Sequence, residues 1–232
     1  MRLTHLLLSF LICPAALASP EMQILLTQPI DTRVREFKAL KNEGGYAFLS
    51  RMAFDKHNGL QTRWRAITTM GRLDAKGFQK DLDRALSSSE WYMRNAALIA
   101  LQTDERPRAI KMSLKLIDDP ALVVRTQAVR NLIQLDARET EPKLWEKIFS
   151  HKNFRGQESL WVRVHLAEAL ANFASPGHIK SFQRLLMDPD ERLYKYAIQG
   201  LENTTGIKLG GKDLPVSVRR QQWLNRLGVE EI

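Results

Sequence analysis

The residues in this sequence that could carry chemistry are few and far apart. His57, His151, His165 and His178 could ligate a metal, but no H-E-x-x-H or paired-histidine spacing joins them. Cys13 is the single cysteine. There is no Gly-rich phosphate loop ending in Lys-Ser/Thr and no G-x-S-x-G elbow. A glycosidase needs two carboxyl groups flanking one bond. Carboxylates are plentiful, but Asp81/Asp83 and Asp118/Asp119 sit near helix ends or turns, where capping and solvation account for them. The sequence therefore assigns no catalytic residue, no cofactor and no metal ligand. It points to binding instead.

What dominates the chain is a repeat. An arginine (tyrosine in the last unit) recurs at Arg63, Arg94, Arg125, Arg163 and Tyr194, at intervals of 31, 31, 38 and 31 residues. Counting from that residue, positions +3, +4 and +7 are apolar. They are Ala66/Ile67/Met70, Ala97/Leu98/Leu101, Ala128/Val129/Leu132, Leu166/Ala167/Leu170 and Ala197/Ile198/Leu201. This is the stripe of an amphipathic helix, here termed helix B. A second stripe precedes each one, as in Phe78/Leu82/Ala85/Leu86 and Ile179/Phe182/Leu185/Leu186, and defines a helix A.

Five A–B hairpins in tandem predict an all-α superhelix, a solenoid with one elongated hydrophobic seam. Asp119-Pro120 and Asp188-Pro189 place an N-cap acceptor before a proline at the first helical position, and Ser88-Ser89-Glu90 supplies a serine equivalent. Gly59, Gly77 and Gly177 fall in the connections, where tolerance of positive φ is useful. Thr32–Leu40 mimics a B helix and reads as a half-repeat. Pro215–Leu227 supplies a closing helix, and residues 19–30 read as extended or loosely ordered. The divisions are thus 1–18, 19–43, 44–205 and 206–232.

Residues 1–18 carry Arg2, then about a dozen mostly apolar residues, then Ala16-Leu17-Ala18, an A-x-A pattern. This reads as a signal peptide cut after Ala18, which places the protein in the periplasm or outside the cell. Cys13 would leave with it, so no thiol would remain. Losing Arg2 takes the formal charge from +9 to +8 (9 − 1). Such an excess suits an anionic surface such as lipopolysaccharide, phospholipid, acidic glycan or an acidic protein. Export makes nucleic acid an improbable partner.

The run Asp119-Pro120-Ala121-Leu122-Val123-Val124-Arg125-Thr126-Gln127-Ala128-Val129-Arg130-Asn131-Leu132 resembles a HEAT repeat of the short bacterial type. The type is shared with the HEAT-like repeats of phycobiliprotein lyases. The resemblance covers roughly residues 44–205. It implies a curved rod with B helices on the concave side, and arginines that bond acidic groups or carbonyls of an adjacent unit. A ladder facing a ligand is the other use of those arginines. Tyr194 departs from the pattern and leaves the last interface open. The resemblance also keeps a third reading alive, an enzyme accessory related to the lyases.

The candidate binding residues follow from the positions the stripe leaves open. They are Trp64, Arg65, Asn95, Arg130, Gln134, His165, Asn172, Lys195 and Gln199 on the B helices. An aromatic such as Trp64 on a polar face is a common anchor, and it can equally pack under the half-repeat. The 38-residue interval hides seven extra residues (38 − 31) around 150–159, adding Lys152, Phe154 and Arg155. A protein or peptide partner on the concave face is the leading expectation. N-terminal sequencing of the exported protein should begin at Ser19; a chain still carrying Met1–Ala18 would rule out the leader.

Overall fold

The computed structural model describes residues 20–41, 44–211 and 213–229. The expected leader, 1–18, lies outside the described residues. The chain folds as an all-α superhelix. Two terminal helices, α1 (Pro20–Leu25) and α2 (Ile30–Ala39), precede five hairpins. These are α3 (Gly45–Phe54) with α4 (Leu60–Asp74), α5 (Gln79–Leu86) with α6 (Trp91–Ala100), and α7 (Arg106–Leu116) with α8 (Leu122–Gln134). Then come α9 (Glu141–Ile148) with α10 (Val162–Phe173), and α11 (Ile179–Leu186) with α12 (Tyr194–Thr205). Helix α13 (Val216–Arg226) closes the stack.

Every residue of the +3, +4, +7 stripe is fully buried in all five units. Each large aliphatic among them contributes about 1.5–3 kcal/mol through removal from water. The core forms two clusters that meet at α7 and α8, the first reaching Ala128 and the second including Val129 and Leu132. Consecutive B helices (α4, α6, α8, α10, α12) pack directly on one another, and each A helix packs on its own B helix. Among the described residues successive A helices touch far less. The B helices thus form one layer of the stack, here termed the inner face.

The units are joined by the recurrent arginines. Arg63 Nε donates to the Ala53 carbonyl at 3.0 Å and Arg163 Nε to the Ile148 carbonyl at 2.9 Å. Each carbonyl lies in the last turn of an A helix, where no intrahelical donor is left. The same guanidiniums then reach the following unit. Arg63 pairs with Glu90, Arg94 with both carboxylate oxygens of Asp119 (2.6 and 2.7 Å), and Arg163 with Asp188. The bond to Asp119 raises the pKa of Arg94. Removing one partner of such a buried pair costs about 3–5 kcal/mol.

At the last interface Tyr194 Oη donates to the Asp188 carbonyl at 2.9 Å. Arg220, from α13, stacks on Tyr194 and donates from Nε to Leu186 O at 2.6 Å. The cap helix thus supplies the arginine that the fifth unit lacks.

Several local expectations change. Helix α8 begins at Leu122 and α12 at Tyr194, so Pro120 and Pro189 precede the helices instead of opening them. Asp119 accepts from Ala121 N at 2.8 Å and Asp188 from Asp190 N at 3.0 Å. These are Asx turns, which orient the carboxylates toward the arginines. Ser88 accepts from Glu90 N in the same way, at 3.2 Å. Residues 20–25 are helical, not extended, and Leu26 is buried in the first cluster. Gly59 has φ −62°, and neither Gly77 nor Gly177 adopts positive φ.

The glycine the stack does need is Gly71. A Cβ there would collide with the Ala100 backbone, where α4 and α6 come together. Gly71→Ala should therefore lower unfolding free energy by about 1–3 kcal/mol through overpacking. Gly59→Ala, with nothing within 4 Å of its Cβ position, should be near neutral. Urea denaturation of both variants checks this, and equal stabilities would contradict it.

Candidate functional site

The inner face is narrower than the helical stripe alone implies. Each B helix is flanked on both sides, by other B helices or at the ends by α2 and α13, so positions expected to be open are covered. Asn95, Thr68, Ala96 and Thr126 are all buried. Asn95 Oδ1 accepts from Trp64 Nε1 at 3.3 Å. Trp64 is half-buried against the N-terminal cluster, the packing alternative to a free anchor. The Arg65 carbonyl accepts from Arg33 Nη1 at 3.1 Å. Burial, and then the charge of Arg65, lower the pKa of Arg33 to about 10.

The amide row has a similar fate. Thr103 Oγ1 donates to Gly71 O at 2.6 Å, Asn131 Nδ2 to Leu98 O at 2.6 Å and Asn203 Nδ2 to Ala171 O at 2.9 Å. Each reaches a backbone carbonyl of the preceding B helix. Gln199 Nε2 donates to Asn172 Oδ1 at 3.1 Å. Asn131 is fully buried and also accepts from Gln102 (3.2 Å) and Gln127 (2.9 Å). These side chains sew the B layer together. Sequence reasoning placed Asn131 in the repeat but not at this junction, because its role depends on which helix lies beside α8.

Three candidates do converge. Arg130, Gln134 and His165 line a groove of about 300 Å³ across Gln102 (in the turn after α6), α8 and α10, with Gln127, Ile133 and Glu168. Arg130 and Gln134 are exposed. His165 Nδ1 lies 3.3 Å from Glu168 Oε2, and Trp161 meets the His165 ring edge-on. The groove offers a cation, a carboxylate, amides and an imidazole around one apolar side chain. That set can hydrogen-bond a polar or anionic chain segment. Lys195 lies apart, in a hollow of about 720 Å³ between α12 and α13 that Val164, Tyr194, Val216 and Arg220 help to line.

The insertion is accommodated by a 3₁₀ turn (His151–Asn153) and a hairpin of β1 (Phe154–Arg155) and β2 (Glu158–Ser159). Gly156, at φ 61°, permits its two-residue loop. The Lys152 carbonyl accepts from Arg125 Nη2 at 3.1 Å, which docks the insertion onto the arginine ladder. The Arg163 guanidinium lies 4.4 Å from the Phe154 ring centroid. The side chains of Lys152 and Arg155 are exposed.

One grouping has the composition of a hydrolytic triad. Ser175 Oγ lies 2.8 Å and Glu141 Oε1 2.9 Å from His178 Nδ1, and Trp145 stacks on the ring. A relay requires the hydroxyl and the carboxylate at opposite ring nitrogens. Here both address Nδ1, so a proton cannot pass through the ring from one to the other. Among the described residues no three His, Cys, Asp or Glu side chains gather as metal ligands would.

No protein-family model and no curated protein matches this chain. Solved structures do. An engineered protein shares 17% identity at a TM-score of 0.52, covering 80% of this chain and 88% of its own. The complex of CpcE and CpcF of phycocyanin lyase from Nostoc sp. PCC7120 shares 14% identity at a TM-score of 0.42, covering 94% and 98%. At such identities the likeness is one of fold, and function rests on the site.

The B-layer junction has a measurable weight. Asn131→Ala leaves the Leu98 carbonyl and two glutamines short of a partner and should cost about 1–3 kcal/mol. Gln134→Ala, at an exposed position, should stay within about 0.5 kcal/mol. Chemical denaturation of the two variants tests the difference; equal losses would remove Asn131 from this role.

Proposed function

We propose that this chain is a HEAT-like interaction protein of the bacterial cell envelope, exported to the periplasm or beyond, that holds a protein or peptide partner on its inner face without chemistry of its own. The observation that carries this reading is the groove uniting Arg130, Gln134 and His165. An arginine and amides around an apolar floor suit an extended segment with acidic or carbonyl groups. Stapled units would keep the groove preformed, which limits the ordering cost of binding.

A second reading, attachment to an anionic polymer or lipid surface, is favoured by one edge of the stack. Leu60, Trp91, Val123 and Trp161 sit at the first turns or N-caps of α4, α6, α8 and α10, and are 39–48% exposed. Lys56, Lys152 and Arg155 are exposed in the turns on that side. Half-exposed tryptophans beside cations are typical of interfacial surfaces.

Affinity capture from envelope extract, with wild type and Arg130→Glu compared at low and high salt, separates the two. The inner-face reading expects one defined partner, retained in moderate salt and weakened about tenfold or more by the charge reversal. Sedimentation with anionic phospholipid vesicles, abolished by salt and indifferent to Arg130, would replace it with the second reading.

A further inference from the structure

The inserted hairpin does more than lengthen a turn. It raises a wall beside α11 and encloses an open cleft of about 630 Å³, away from the inner-face groove. Phe149, Phe154, Met187 and Pro189 supply apolar lining, and Lys180, Gln183 and Arg184 supply donors. The wall is held firmly. Phe154 lies under the Arg163 guanidinium, and Arg163 is itself pinned by Ile148 O, Ser159 Oγ and Asp188.

The electrostatics are one-sided. Asp188 is the only carboxylate in the lining and is neutralised by Arg163. That leaves Lys180 and Arg184, both exposed, with no acid in the cleft to answer them. Arg184 is positioned by stacking, its Cζ 3.8 Å from the Phe149 ring centroid. A guanidinium over an aromatic face keeps donors that an acceptor can reach. Met187 contributes a large exposed apolar surface, 49% accessible.

We propose that this cleft is a binding site for an organic acid with an aromatic or branched apolar body, the carboxylate meeting Arg184 and Lys180 and the body lying between Phe149, Phe154 and Met187. The acid can be a free small molecule or the terminal carboxylate of a peptide; both present the same chemistry. The size falls within the range of ordinary ligand pockets, roughly 300–1,000 Å³.

An internal control exists. Arg84 stacks on Phe54 at 4.0 Å in the first inter-unit interface, matching Arg184 on Phe149. The turn from α3 to α4 there has no inserted hairpin. A merely structural stack would make the two arginines equivalent.

The test is calorimetric titration of the purified protein with N-acetyl-phenylalanine, 3-phenylpropionate and the uncharged N-acetyl-phenylalaninamide. Both acids should bind with Kd of about 1 mM or tighter, and the amide about tenfold or more weakly. Arg184→Ala should weaken acid binding about tenfold, whereas Arg84→Ala and Arg130→Glu should leave it unchanged. Tighter binding of N-acetyl-phenylalanine than of phenylpropionate assigns the site to a peptide end; the reverse order assigns it to a free acid. The proposal is overturned if neither acid binds at several times that concentration, if acid and amide bind alike, or if Arg84→Ala weakens binding as much as Arg184→Ala. Circular dichroism of each variant confirms that the stack is retained.

Discussion

The buried guanidinium at the start of the first four B helices is the interaction on which the stack depends. A cation in the first turn of a helix opposes the helix dipole, and burying it removes it from water. Both penalties are met from outside the helix. Arg63 and Arg163 use the carboxyl-terminal carbonyls of their own A helices and a carboxylate in the turn before the next B helix. One side chain therefore closes a hairpin and joins it to its neighbour. Among the described residues Arg125 forms no carboxylate pair, and burial, opposed by the charges of Asp119 and Asp118, holds its pKa below the usual arginine value. It binds the Lys152 carbonyl instead, so the inserted segment is anchored by the same device as the repeats.

The second constraint is the closeness of the B helices. Gly71 lies against Ala100, so α4 and α6 approach further than a Cβ would permit. At that separation, side chains of the next helix reach backbone carbonyls of the one before it. Asn131, Thr103 and Asn203 do so. Polar residues that would otherwise face a ligand become part of the scaffold, and the surface left for binding contracts to a short groove around Arg130 and His165.

Distinct sites arise where the repetition fails. Identical units present identical surfaces, so a particular ligand needs an irregularity. The hairpin at 154–159 is one, because it sets Phe154 opposite α11 and leaves two cations without a facing acid. The terminal helix α13 is another. It buries Trp223 and Leu224, supplies Arg220 in place of the missing ladder arginine, and shapes the hollow around Lys195.

The sequence by itself determined the five hairpins, the buried stripe from Ala66 to Leu201 and the position of the insertion. Each follows from helical periodicity and the demand that apolar residues leave water, both local in the chain. It also marked the arginines as recurrent, and the resemblance it carries implied their use between units. Only the tertiary structure decided where Asp119 and Asp188 point, which amides are consumed, and that residues 20–25 coil into a helix above the first unit. It alone brought Arg184, Phe149 and the hairpin wall around one cleft. Those outcomes depend on how closely neighbouring helices approach and at what angle. No single unit contains that information, since a helix acquires its lateral partners only when the next one packs against it.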